Sequence, residues 1–267
     1  DVPQLDMLIV PVGGGGLVSG MAVAAKSIKP RIRVVGVQSN QYPAMYLLKH
    51  HEEVRGGGDT IAEGIAVKEP GILTRQVVMA LVDEMRVVAE PKIEEAISLL
   101  LDIEKTVVEG AGAVGLATML PVKSGAHRHE FAGRNVGIVL TGGNIDPRFL
   151  ANVILRNLAR SGRIGRISVL LNDKVGALHE ISGIFARNDA NIIEVLHQRI
   201  FGVLSAKSIH TEIEYEIRDQ EALDTLLREL TEAGYVFDVM TISGRRPGRS
   251  VTRSDAQPAR PSTRGAA

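Results

Sequence analysis

The sequence predicts an α/β fold in two parts. Residues 1–160 read as a parallel-sheet domain, residues 161–243 as a small βαββαβ ferredoxin-like domain, and residues 244–267 as a disordered tail. Three observations carry this division. Short β-branched runs alternate with helical stretches through the first 160 residues, which is the pattern of a parallel sheet. The pattern changes after a basic, glycine-punctuated stretch near 160–166, where strand, helix, two strands, helix and strand follow in turn. Four consecutive glycines, Gly13 to Gly16, stand between the apolar run Met7-Leu8-Ile9-Val10-Pro11-Val12 and a helix start.

In chain order, strands are expected at 7–12, 33–38, 85–89 and 135–140. Helices are expected at 17–28, 42–50, 74–81, 91–106 and 111–123, with one more after Pro147. Pro91 suits a first helical turn, with Glu94 and Glu95 at its positive end. In the second part, strands are expected at 167–172, 191–200, 206–217 and 235–242, and helices at 176–188 and 220–233. The terminal stretch, rich in Arg, Pro and Ser, has too little apolar surface to form a core.

Composition narrows the function classes. A hydrophobic content of 45% is ample for buried cores, and 31 basic against 31 acidic residues give a formal charge of zero, so nothing points to nucleic acid. The absence of cysteine rules out disulfides and thiol chemistry and fits a reducing, cytoplasmic setting. No apolar run is long enough to span a membrane. The chain opens at Asp1 and enters a core strand almost at once, which reads as the middle of a protein rather than its start. His179, His197 and His210 lack metal-like spacing, and the last two read as a cross-strand pair.

The glycine run is the first candidate site. Glycine loses more freedom on folding than any other residue, so four in a row are kept where backbone must approach something closely. A strand feeding glycines into a helix gathers free N–H groups at the positive end of a helix dipole, a seat for phosphate or carboxylate. Gly15 and Gly20 have the spacing of the outer glycines of a P-loop, but Met21 and Ala22 stand where Lys and Ser/Thr would be needed. No glycines in the run complete a G-x-G-x-x-G either. A turn that only lets strand and helix pack closely is the competing reading.

Three further segments follow in order: Asp59-Thr60-Ile61-Ala62-Glu63-Gly64, Val108-Glu109-Gly110-Ala111-Gly112-Ala113, and Leu140-Thr141-Gly142-Gly143-Asn144-Ile145-Asp146. With Pro11 to Leu17 they make the first 160 residues resemble fold type II (tryptophan synthase β-like) pyridoxal-phosphate enzymes. The resemblance is to the threonine dehydratase, or threonine ammonia-lyase, branch, which overlaps serine dehydratases and serine racemases. It implies that backbone N–H groups of Gly13, Gly14, Gly15, Gly16 and Leu17 hold the phosphate of pyridoxal 5'-phosphate. It implies that Gly64 lines the cofactor ring, that Thr141 sets its hydroxyl against the pyridine nitrogen, and that Glu109 lies near ring or substrate. Locally, Gly64 also reads as a turn end, Glu109 as a residue preceding a helix, and Thr141 as a cap after a strand.

Two departures accompany the resemblance. The Schiff-base lysine lies in the family in a Ser-x-Lys segment upstream of the glycine loop, and every lysine here follows the loop. No residue of this chain is therefore nominated as that nucleophile, and the chain alone is expected to be inactive. Some relatives place an acidic metal ligand just after the second strand. Gln38 stands there, and no metal is expected.

The second part resembles an ACT-type regulatory domain. That implies a small amino-acid effector held at the turn and helix start by Asn172, Asp173, Val175, Gly176, Ala177 and Leu178, with Asn191 and Ile192 beyond, in a homodimer or tetramer. Asp173 also reads as a plain helix cap. The function expected of the full-length enzyme is dehydration and deamination of L-threonine, with L-serine open, to a 2-oxo acid and ammonia. Serine racemisation and a non-catalytic amino-acid-binding unit are the alternatives.

Overall fold

The structure is a computed structural model that describes residues 2–121, 128–198, 208–241 and 244–247. It divides into two compact units, Asp1–Asn157 and Leu158–Ala267.

The first unit is built on a four-stranded parallel sheet of β1 (Met7–Pro11), β2 (Arg33–Ser39), β3 (Glu84–Val88) and β4 (Val136–Ile138). Its order is β3-β2-β1-β4, with Ile9 paired to Val35 on one side and to Ile138 on the other. The helices are α1 (Gly16–Ile28), α2 (Ala44–Lys49), α3 (Ile72–Leu81), α4 (Glu90–Asp102), α5 (Gly110–Ala117), α6 (Arg128–Phe131) and α7 (Pro147–Arg160), with a short 3-10 turn at Glu63–Ile65. Side chains alternate across a strand, so each strand feeds two cores. Met7, Ile9, Val35 and Val37 pack with Ile93, Ile97, Ala113 and Val114 of α4 and α5. Leu8, Val10, Val34 and Met85 pack with Val18, Ala22 and Val78 of α1 and α3. Both faces are thus covered, as a parallel sheet requires.

At the end of the sheet where β2 and β3 begin, Arg33 and Arg86 pair with Glu84 and Glu130, and the Arg86 guanidinium lies 5.7 Å from the Phe131 ring centroid. These ion pairs tie α6 to the sheet at the end opposite the strands' carboxyl termini.

The second unit contains β5 (Ile164–Asn172), α8 (Ala177–Arg187), β6 (Asn191–Gln198), β7 (Ser208–Glu216), α9 (Gln220–Glu232), β8 (Val236–Thr241) and β9 (Gly244–Pro247). Its antiparallel sheet runs β6-β7-β5-β8-β9, which realises the βαββαβ order expected from sequence. Ile167, Val169 and Leu171 meet Ile213 and Tyr215 and are covered by Ile181, Phe185, Leu226 and Leu230 from both helices.

Several boundaries differ from the sequence reading. The basic linker shrinks, because β5 begins at Ile164, where Gly165 lets the Tyr215 hydroxyl and ring lie against the backbone and Arg166 pairs with Glu212 and Glu214. The expected tail begins later, since Gly244–Pro247 pairs with β8, while 248–267 lie outside the described residues. Helix α4 begins one residue early, so Glu90 is its first-turn acid. Glu94 pairs instead with Arg156, and Glu95 with Lys92. The N-cap residue of α8 is Gly176 rather than Asp173. The register sets Gln198, not His197, opposite His210.

Candidate active site

In the order β3-β2-β1-β4 the chain moves outward from β1 through β2 to β3, then returns to add β4 on the other side of β1. The carboxyl ends of β1 and β4 therefore flank a topological switch point, where open α/β sheets leave a crevice for ligands. Gly13 to Gly16 follow β1, and Thr141 to Gly143 follow β4. The two motifs lie 125 residues apart in sequence and meet because of strand order.

Gly15 is the N-cap of α1 in the left-handed region (φ 93°), with no side-chain cap. The first N–H groups of the helix are thus left open. Among the described residues, the N–H groups of Gly13, Gly14 and Gly15 make no hydrogen bond to the protein. The glycines differ in what requires them. A Cβ on Gly13 would crowd Ile65 and Val67, and one on Gly15 would meet Met45 and Thr74 at 2.9 and 3.0 Å. A Cβ on Gly14 or Gly16 would meet nothing within 4 Å. Protein packing explains Gly13 and Gly15, while open space stands beside Gly14 and Gly16. Free donors, a helix dipole and open space together fit a phosphate group.

Helix α5 places the second set of groups. Its sequence Gly-Ala-Gly-Ala-Val-Gly-Leu-Ala carries three glycines, each costing about 1 kcal/mol against alanine in a helix. Close approach offsets that cost. A Cβ on Gly110 would overlap the Ile61 carbonyl, one on Gly112 the Thr141 carbonyl, and one on Gly115 would crowd Ile138. The helix is thereby wedged between the loop at 61–64 and the loop after β4.

Glu109, the N-cap residue of α5, makes no side-chain cap bond. Its N–H donates to the Gly142 carbonyl, and its carboxylate lies between Gly64 and Gly142. A Cβ on Gly64 would come within 3.1 Å of Glu109 Oε1, and one on Gly142 (φ 70°) would overlap it. The structure thus brings Gly64, Glu109 and Thr141 together around one wall. Thr141 Oγ1 has no hydrogen-bond partner among the described residues. Of these three, Glu109 also lines a cavity of about 820 Å3 with Tyr42, Thr60, Glu63, Glu90, Asn144, Asp146 and Phe149, among others, and no lysine is in that lining.

Sequence reasoning missed two contributors. Glu90, at the start of α4, accepts from Ser39 Oγ at 2.6 Å, Thr60 Oγ1 at 2.8 Å and the Ile61 N–H at 2.8 Å. One carboxylate thus gathers the end of β2, the loop leading to Gly64 and the start of α4. Thr74, on α3, donates to the Gly14 carbonyl. Both contacts span tens of residues, and the only local hint was an acid beside Pro91. Gln38 is fully buried, with its Oε1 accepting from the Tyr46 N–H at 2.9 Å. Among the described residues there is no group of three or more potential metal ligands.

In the second unit, Asn172, Asp173, Val175, Gly176, Ala177 and Leu178 line a cavity of about 440 Å3 with Lys174, His179 and Ile209. Gly176 is left-handed (φ 89°) and opens α8 without a cap, and Val175 is fully exposed. Asn191 and Ile192 are not in that lining. They begin β6, opposite Glu216 and Tyr215.

The family model described as pyridoxal-phosphate dependent enzyme matches residues 1–142. An L-threonine ammonia-lyase of Thermotoga maritima is 40% identical over 237 residues, which are 88% of this chain and 58% of that protein. An L-threonine ammonia-lyase of Geobacter sulfurreducens is 37% identical over 242 residues, 90% of this chain and 59% of that protein. The solved structure of maize serine racemase aligns with a TM-score of 0.52 at 34% identity, covering 60% of this chain and 49% of that one. The chain therefore spans less than three-fifths of the length of the curated relatives it matches.

Proposed function

Since this chain belongs to the pyridoxal-phosphate dependent enzyme family, we propose that it supplies the phosphate seat and one wall of the active site of an amino-acid lyase that converts L-threonine to a 2-oxo acid and ammonia. One observation carries the reading: the glycine loop, Gly64, Glu109 and Thr141 converge at the switch point of the parallel sheet. When bound, pyridoxal phosphate supplies an electron sink for breaking bonds at the substrate α-carbon.

The chain's own residues have defined tasks in this reading. The N–H groups of Gly13 to Leu17 bind the phosphate. Thr141 presents a neutral hydroxyl to the pyridine nitrogen, which leaves that nitrogen less protonated than a carboxylate would and suits elimination. Glu109 holds an acceptor at the ring edge, and the Gly64 backbone lines the ring. No lysine precedes the glycine loop in this chain, and the chain spans less than three-fifths of its curated relatives, so this reading assigns the Schiff-base lysine to a segment other than these residues.

Equilibrium dialysis of the chain with pyridoxal phosphate tests the seat. Borohydride reduction is expected to leave only scattered labelling of exposed lysines, and a single lysine labelled stoichiometrically and protected by inorganic phosphate would overturn the assignment of the Schiff-base lysine to another segment. A longer polypeptide carrying that lysine should release 2-oxobutanoate from L-threonine. Racemisation of L-serine without keto-acid release would favour the second reading, which the likeness to maize serine racemase supports.

The second unit is proposed as an ACT-like regulatory domain that receives an amino-acid effector at the Asn172–Leu178 turn. An uncapped α8 N-terminus beside Gly176 favours a carboxylate there. A homo-oligomer and a cytoplasmic setting belong to the same proposal.

A further inference from the structure

We infer that Thr74 is a positioning residue of the phosphate seat: its hydroxyl fixes the Gly14–Gly15 peptide so that the Gly15 N–H faces the anion. The inference deepens the proposed function and rests on the glycine loop being a phosphate site.

Thr74 lies 60 residues beyond the loop, in the first turn of α3. Its Oγ1 is 2.6 Å from the Gly14 carbonyl oxygen and 2.9 Å from the carbonyl of Gly71. A threonine hydroxyl has one proton to donate, and the shorter contact, to Gly14, takes it. The Gly71 N–H also reaches the Gly14 carbonyl, at 3.3 Å. In return, Ser19 Oγ on α1 donates to the Thr74 carbonyl at 3.3 Å. Helix α3 is thus latched to the loop and to the first turn of α1 by three bonds.

The consequence follows from peptide planarity. No peptide bond here is cis. In a planar trans peptide the C=O and the following N–H point in opposite directions. With the Gly14 carbonyl held toward α3, the Gly15 N–H must point away from α3. On that side it has no partner among the described residues, and Gly14 and Gly16 border open space. Gly15 itself rests against Thr74, at 3.0 Å from its Cβ and Oγ1 for an added methyl, so side chain and loop fix one another. A rotated Gly14–Gly15 peptide would aim a carbonyl oxygen at the phosphate and repel it.

The test compares Thr74→Val, which keeps shape and loses the hydroxyl, with Thr74→Ser, which keeps the hydroxyl. Dissociation constants are measured for pyridoxal phosphate, for pyridoxal and for inorganic phosphate, alongside the thermal midpoint. Thr74→Val should weaken pyridoxal phosphate and inorganic phosphate roughly tenfold, the equivalent of one hydrogen bond. Pyridoxal binding should stay unchanged, and Thr74→Ser should bind within about twofold of the parent. A Thr74→Val loss that is equal for pyridoxal and its phosphate, or absent for both phosphates, overturns the inference. A parent chain that binds inorganic phosphate but not pyridoxal phosphate overturns the cofactor reading alone, with Thr74 still judged by the phosphate constant. A parent chain that binds neither overturns both.

Discussion

Single glycines in the site differ in what they do, and substitution separates them. Gly14 has open space where a Cβ would go, whereas Gly112 lies on the Thr141 carbonyl. Gly14→Ala should therefore leave the thermal midpoint of unfolding within about a degree while weakening pyridoxal phosphate binding measurably. Gly112→Ala should destabilise the first unit by about 1–3 kcal/mol, the range for forced overpacking, and lower its midpoint by several degrees. Equal midpoints for the two variants would refute the distinction. Tyr215 makes a second residue-scale case: it is buried against Gly165 and Phe185, and burial pushes its hydroxyl up to about 12. A group raised in the folded state stabilises it fully below the unfolded value, near pH 10, and that stability is lost as pH rises through about 12. An absorbance titration at high pH should show Tyr215 ionising together with unfolding of the second unit, and its ionisation in the native state below pH 11 would contradict this burial. The four motifs containing Gly14, Gly64, Glu109 and Thr141 could be read directly, because glycine type and short-range spacing mark each of them along the chain. Thr74 and Glu90 could not, since a threonine in a first helical turn and an acid before proline are ordinary helix-start residues until the fold brings distant loops to them.

At the scale of elements, α5 and the loop at 61–64 form one device, with the Glu90 carboxylate holding the loop from the other side. Glu90→Ala leaves Ser39, Thr60 and the Ile61 N–H without their acceptor, a loss of about 1–3 kcal/mol for partly buried donors. Amide exchange at Ile61 and Ala62 should quicken by one to two orders of magnitude, while Glu95→Ala on the same helix, which loses only the Lys92 pair, should leave it unchanged. Unaltered exchange in Glu90→Ala would show that the loop is held by other contacts. The turn before β3 behaves differently with pH. Burial pushes the Asp83 carboxyl up, but the Lys26 ammonium and the Val34 N–H outweigh it and hold it below the usual carboxylate value. In Glu84, Arg86 and Arg33 likewise outweigh burial. Carboxyls depressed in the folded state contribute stability above their unfolded values that is lost as pH falls through the folded ones. The first unit should thus lose stability below about pH 4, modestly, because these side chains are a third or more exposed. Asp83→Asn should flatten that acid limb in thermal melts; an unchanged limb would remove Asp83 from the account.

At the scale of the whole molecule, the two units invite independent tests. Calorimetric titration with isoleucine, valine and threonine probes the Asn172–Leu178 turn, where heat that vanishes in Gly176→Val is expected. No heat with any of them would reject an effector site. Most elements of both units were legible in advance, because strand alternation and helical periodicity are local consequences of side-chain burial. The exceptions were ends, and they were settled by partners elsewhere in the chain. β5 gained Ile164 to Arg166 because Gly165 admits Tyr215 and Arg166 meets Glu212 and Glu214, and β9 emerged because β8 offered an edge. The sequence by itself determined the division into a parallel and an antiparallel part, the family resemblance and the glycine run between β1 and α1, since each rests on residue type and spacing along the chain. Only the tertiary structure decided that β1 and β4 are neighbours, that Glu109 sits between Gly64 and Gly142, and that Thr74 and Glu90 hold the loops. Those facts depend on strand order and on contacts between residues tens of positions apart, and a linear pattern carries no distances between them.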